Sequence, residues 1–474
     1  MEKVLQKIRK YWQEIVVAIS TLVYIAYITY ASFIRYENFY AGKFDLGNMA
    51  QTVWNTTHGN IFMLTDPNAT REVSRLAFHS DFILILFAPF YLLWEDPRML
   101  LLIQTVVVAF GGIFVFLIAN HILKNKNISL VLALAYFINP GVNFSNLYDF
   151  HSVTLSTTFL LATFYFIFKK KYAYMLLFLI LSVLTKEEVW VISGLVGIYL
   201  FLAHKKRALG AFIAVASFSA FYILIWHLMP KNLGKEHFAL DYYSYIGNSP
   251  SEIIINIFLN PIQTIKTLLM PDRLLFINQI FLPLAYISFL APVMLIFAGP
   301  DLAINLLSSN PPLHQIYYQY TATITPFIFI SAIFGIKLIK TKISKIPINI
   351  LAITILLFSL YSSYDYGQLP YSKNPSINKY LKTIPDRKKI DDYISSLPME
   401  EKIAATNNIG AHLSHRRDIY VIPQGLDIAD RVIFLTSRSM NNREEEALAQ
   451  IHADFNYFPV FKAEGFYVFK RIRD

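Results

Sequence analysis

The sequence contains no cysteine. Disulfides, iron–sulfur clusters and thiolate zinc sites are therefore excluded, and any metal would have to rest on His and carboxylate groups. Charge is also scarce. Asp, Glu, Lys and Arg make up 16% of the 474 residues, against about 25% in soluble globular chains. The chain lacks a Walker A loop, a GxGxxG motif after a strand, a GxSxG elbow and an HExxH pair, which disfavours ATP-driven and NAD-dependent chemistry. It also shows no repeat of solenoid period and no low-complexity linker.

What is present is apolar: 55% of the residues are hydrophobic, gathered into runs long enough for a membrane. The formal net charge of +10 would suit a nucleic-acid surface. Its Lys and Arg residues, however, sit in short tufts between apolar runs, as topogenic charge does, and no nucleic acid is expected. The N-terminus is basic and leads into an apolar run from about Ile15 to Ile34. No small-residue cleavage site follows, so an uncleaved first helix is expected rather than a signal peptide.

Candidate spans are 13–34, 98–119, 128–147, 152–168, 172–185, 188–203, 208–229, 275–288, 290–308, 321–337 and 346–363. The run 81–94 has 14 residues, includes Pro89 and ends in EDPR, a length that fits a re-entrant or interfacial segment. If it does not cross, five tufts share one side: Lys3, Lys7, Arg9 and Lys10; Lys124 and Lys126; Lys169–Lys171; Lys205–Arg207; and Lys337, Lys340, Lys342 and Lys345. The positive-inside rule makes that side cytoplasmic. The expected fold class is mainly α: a polytopic transmembrane helical bundle over 1–363 of about 11 spans, with interfacial helices in an outer loop 35–97. A small extracytoplasmic α/β unit is expected over 364–474. In that tail DRKKIDDYISSL and NNREEEALAQIHADF read as helices. KIAAT, DIYVIP and RVIFL read as strands, and YFPVFKAEGFYVFKR as a hairpin.

An ionisable side chain at membrane depth needs a partner or a role, and the threading collects four such clusters on the outer face. Asp45, just beyond the first span, suits a helix N-cap or a general base for a hydroxyl. Asp149 and His151 form an outer corner that could pair, bind a metal, hold a phosphate or cap a helix. Lys186, Glu187 and Glu188 stand between two apolar runs with almost no loop, either snorkelling or gripping a partner. His79 opens the run 81–94. His314 and Tyr318 lie in an aromatic, amide-rich loop suited to sugars or headgroups, though Tyr is also common at interfaces. His412, His415, Arg416 and Arg417 read as a phosphate grip or a solvated helix end.

FDLGNMAQTVWNTTHG, NLYDFHSVTLS, LTKEE, NLLSSNPPLHQIYYQYTATITPF and ATNNIGAHLSHRRDIYVIP together resemble a family of predicted membrane proteins, domain of unknown function 2079. That family is grouped with the GT-C superfamily of glycosyltransferases, and the resemblance covers roughly residues 35–435. It implies a bundle of about eleven to thirteen helices and a polyprenyl-phosphate-linked sugar as donor. It also implies an acidic catalytic base at the start of the first outer loop, the position of Asp45. Related sequences often read FDLGxxDQ, whereas this chain has Ala50 before Gln51, which leaves Asp45 alone or assisted by Asp149 or Glu187.

The resulting expectation is an inverting transferase of an outer-face acceptor at a cell membrane, with its N-terminus cytoplasmic. Asp45, Asp149 and Glu187 are the candidate catalytic groups. His79, His151, Lys186, Glu188, His314 and Tyr318 are the candidate substrate contacts. No cofactor is expected beyond the lipid-linked donor, and a divalent metal is left open. The alternatives are a transporter or lipid-carrier flippase, which would need midplane charges and an internal repeat, and a non-catalytic scaffold.

Overall fold

The computed structural model describes residues 2–234, 238–343 and 346–472. Lys345 of the last basic tuft and residues 235–237 of the loop 230–274 lie outside the described residues.

Among the described residues, four helices are long and apolar enough to cross a membrane: Gln6–Glu37, Arg98–Leu123, Arg207–Leu233 and Ile348–Tyr366. At 1.5 Å per residue the 26 residues of Arg98–Leu123 extend about 39 Å, more than the roughly 30 Å hydrocarbon layer. The helices Lys126–Phe137 and Pro140–Leu147, bent by 42°, pass the same test only when taken together as one span. Pro140 has no N–H to continue the first helix. Asn139 instead starts the second, accepting from the Val142 N–H at 3.2 Å.

The remaining apolar runs are shorter or less regular than the sequence suggests. Ser152–Phe168, Tyr172–Val183 and Val189–Leu202 each have fewer than 18 residues. The run 275–288 is helical only to Phe281 and then turns through Ala285 and Tyr286, both at positive φ. The run 290–308 is a tight 3-10 helix, Pro292–Ala298, followed by Gly299–Leu307. Hydropathy sums over these breaks without registering them. The segment 81–94 contains ten helical residues, Phe82–Tyr91. Even at the 3-10 rise they reach about 20 Å, short of the hydrocarbon layer.

One large apolar core joins the helices, from Tyr24 and Ile28 through Val108, Tyr136, Phe164 and Val189 to Phe327 and Ile355. A second core, including Leu46, Val53, Leu84, Leu100 and Phe150, sits under the loop 35–97. In that loop β1 (Met63–Thr65) pairs antiparallel with β2 (Glu72–Ser74).

The C-terminal segment forms a five-stranded sheet. Its strands are β3 (Ile403–Ala405), β4 (Ile419–Val421), β5 (Arg431–Leu435), β6 (Tyr457–Ala463) and β7 (Phe466–Arg471), in the order β4-β3-β5-β7-β6. β3 is parallel to β4 and β5, while β7 runs antiparallel to β5 and β6. The helices Arg387–Ser395 and Asn442–Ala453 fall where the polar periodicity placed them. Phe39, just past the first helix, is buried in the same core as Ile390, Ile403 and Val468. This sheet is therefore packed directly onto the start of the loop 35–97.

Candidate functional site

Beyond the first helix the chain makes a wide turn, Lys43–Gly47, closed by the Gly47 N–H donating to Gly42 O at 3.0 Å. The turn holds Asp45 half-buried. Its carboxylate caps no helix: the following helix, Asn48–Thr57, has no side-chain cap. Instead Asp45 Oδ1 lies 3.1 Å from His151 Nε2, and Oδ2 accepts from the Tyr148 hydroxyl at 3.3 Å. Burial would raise the Asp45 pKa, but the His151 hydrogen bond and charge, Arg35 and Tyr148 outweigh it and hold the group below the usual carboxylate range.

The corner bearing His151 is fixed from inside the bundle. Gln104, fully buried on the span Arg98–Leu123, donates to Asn146 O and Asp149 O at 2.9 Å each and accepts from the His151 N–H at 2.8 Å. Asp149 pairs with Arg35 from the end of the first helix and lies 3.5 Å from the Gly42 N–H. Burial nonetheless pushes Asp149 up to about 6 against the pull of Arg35. Asp149 is thus neutralised behind the turn, with its charge directed at Arg35 rather than at open space.

A cavity of about 580 Å³ opens beside this corner, within the size range of small-molecule sites. His151, His79, Lys186, Glu187, Glu188 and Asp301 all line it. So do Arg75 and Asp81, which form a buried ion pair with Nη2–Oδ2 at 2.9 Å. Glu187 Oε1 lies 2.8 Å from His79 Nδ1, and Oε2 accepts from the Ser80 N–H at 3.0 Å. Burial would raise Glu187, but His79, Lys186 and the Ser80 N–H keep it ionised, below its usual value. Lys186 Nζ lies 2.7 Å from Glu188 Oε1. Burial would lower the Lys186 pKa, yet Glu188 and Glu187 raise it, so the ammonium persists. Glu188 moves up, through burial and its acidic neighbours Glu187 and Asp301.

The structure therefore brings His79, His151, Lys186, Glu187 and Glu188 around one cavity, with Asp45 in contact through His151. Asp149 stands behind that wall. His314 is buried 3.0 Å from Asp272 and does not line the cavity. Tyr318 meets Tyr148 edge-on at 4.9 Å and is likewise off the cavity wall. Tyr320, from the same aromatic loop, does line it, as does Asp301, which the sequence did not single out. Arg35, Gln104, Arg75 and Asp301 were hidden inside apolar runs or ordinary loop sequence, and the available signal was the expense of a polar group there. Among the described residues, no group of three or more His, Asp or Glu side chains is arranged to hold a metal ion.

His412 and His415 are neither a solvated helix end nor a phosphate grip. His412 is stacked on Tyr36 at 4.0 Å, its Nε2 2.9 Å from Tyr36 O, and burial lowers both imidazoles to about 4. Arg416 is spent on the carbonyls of Leu413, Pro398 and Glu401.

Residues 35–467 match the model of a family described as predicted membrane protein, DUF2079. No curated protein matches the chain. Among solved structures, the chain is similar to the crystal structure of ArnT from Cupriavidus metallidurans bound to undecaprenyl phosphate. The TM-score is 0.57 at 10% identity, over 95% of this chain and 98% of that one. The likeness concerns the fold alone.

Proposed function

We propose, for a chain that belongs to the DUF2079 family of predicted membrane proteins, that it is a GT-C-type transferase of the outer membrane face. It would move a sugar from a polyprenyl-phosphate donor to an acceptor hydroxyl. In this reading the shorter apolar helices complete about eleven crossings. The N-terminus is cytoplasmic, and the C-terminal sheet lies outside as a separate α/β unit over 364–474. The observation that carries the proposal is Asp45, ionised and 3.1 Å from a histidine that lines a charged cavity of about 580 Å³.

In the proposed step Asp45 takes the proton of the acceptor hydroxyl. The freed oxygen pair forms the new bond to the anomeric carbon, on the face opposite the phosphate. The bond from that carbon to the phosphate oxygen breaks, and its electrons leave with the lipid phosphate. Lys186, whose ammonium persists on the cavity wall, supplies positive charge for that leaving group. Glu187 orients His79. Asp149 acts as a positioning residue, holding Arg35 and the Gly42 amide behind the turn. The undecaprenyl phosphate of the ArnT structure supports a lipid phosphate as the donor's leaving group.

The test is transfer by purified protein in lipid nanodiscs, supplied with polyprenyl-phosphate-linked sugars and read as release of polyprenyl phosphate. Release that is absent from the wild type with every donor overturns the reading.

A further inference from the structure

A second recess, of about 450 Å³, lies between the outer loop and the C-terminal segment. Its walls come from four stretches that meet only in the fold: Phe44, Asn68, Pro423 with Gln424, and Asn442 with Arg443. Phe44 is the residue before Asp45, so the recess adjoins the turn that carries the proposed base. Its ring is 43% exposed, in a loop whose other large apolar side chains are mostly buried. None of the residues lining the recess is acidic. Among the described residues, the side chains of Asn68, Gln424, Asn442 and Arg443 make no hydrogen bond or ion pair.

The recess is preformed. The Phe44 N–H donates to Asn407 Oδ1 at 3.0 Å, and the Asn407 N–H donates to Glu444 Oε1 at 2.7 Å. Glu444 is buried and forms a reciprocal cap with Asn441, whose N–H donates to Glu444 Oε2 at 2.9 Å. This chain of bonds runs from the turn into the helix Asn442–Ala453 and fixes both walls. Gln51 donates to Arg416 O at 3.0 Å and Arg417 O at 2.9 Å, tying the helix after the turn to the same segment.

We propose that this recess docks the acceptor and that the docked part is a saccharide chain. The inference rests on the reading of Asp45 as the base. An exposed aromatic ring offers a flat apolar face to sugar C–H groups, and free amides and a guanidinium offer donors and acceptors to hydroxyls. An attack opposite the leaving phosphate requires the acceptor to come from a different side than the donor. The recess supplies such a side, because it shares no lining residue with the large cavity. Its lack of acidic side chains, beside the Arg443 guanidinium, also admits uronate sugars.

The test uses the full chain in nanodiscs with two probes, a neutral chitin trisaccharide and a galacturonic acid trisaccharide, followed by saturation-transfer NMR. Saturable binding of at least one probe is expected, weakened about tenfold or more in Phe44→Ala. It should be similarly weakened in the surface variant Asn442→Ala, which decides the matter if Phe44→Ala fails to fold. Binding of polyprenyl phosphate alone should be unchanged in both variants. Failure of both probes to bind the wild type, or undiminished binding in Asn442→Ala and in a folded Phe44→Ala, overturns the docking site. Loss of polyprenyl phosphate binding in the wild type would instead count against the transferase reading itself.

Discussion

His151 Nε2 lies 3.1 Å from Asp45 Oδ1, across 106 residues of sequence. The contact joins the turn after the first helix to the corner after a broken one, and Gln104 fixes its far side. It sets the protonation of the proposed base. Replacing His151 by Phe leaves burial of Asp45 opposed only by Arg35 and Tyr148, so the carboxyl pKa rises. The acid limb of the pH–rate profile is expected to move to higher pH in His151→Phe. An unmoved limb would show that His151 does not tune the base.

Glu187 gives a prediction for stability. Its pKa in the fold lies below its usual value. Its stabilisation is therefore complete above the unfolded value of about 4.3 and disappears as pH falls toward the folded one. Thermal unfolding of the detergent-solubilised protein should show the wild-type midpoint falling below roughly pH 4.3. Glu187→Gln should start lower and lose less over the same interval.

The Arg75–Asp81 pair tests the cavity wall. Both side chains are under 5% exposed and share three contacts between 2.9 and 3.1 Å. Removing one partner strands a buried charge, at a cost of about 3–5 kcal/mol. Asp81→Leu alone should therefore destabilise more than the double variant Arg75→Leu with Asp81→Leu, as denaturation midpoints would report.

The clamp on the turn gives a fourth. Asn407→Ala removes the acceptor for the Phe44 N–H, worth about 1 kcal/mol of stability, and frees the Asp45 turn. Hydrogen exchange should rise in peptides covering residues 42–48, and kcat should fall with little change in donor KM. Asn407→Asp keeps an acceptor oxygen and should restore both. Gly410→Ala should disturb the same turn, since its new Cβ would stand 2.4 Å from the Lys43 Cβ.

Much of the C-terminal segment was legible in the sequence. Short continuous apolar runs at Ile403–Ala405 and Arg431–Leu435, and an Asn441–Glu444 cap signal, mark strands and a helix through local pattern. The irregular run 282–298 was not legible. Its apolar side chains satisfy a hydropathy window equally as a straight helix or as short 3-10 pieces around Ala285 and Tyr286. In the site, the cluster of Lys186, Glu187 and Glu188 stood out because charges are costly between apolar runs. Asp149 stood out for the same reason, but sequence could not show that Arg35, 114 residues earlier, neutralises it. Nor could it show that His314 and Tyr318 pack away from the cavity, because burial direction in an irregular loop has no period to read.

Transfer by Asp45→Asn tests the central claim most directly. The change keeps the size of the side chain and one carbonyl oxygen but removes the base. With a polyprenyl-phosphate sugar that the wild type uses, kcat should fall about 10²–10⁴-fold, the span of general-base catalysis, while polyprenyl phosphate binding is retained. Wild-type turnover in Asp45→Asn would contradict the assignment of Asp45 as the base.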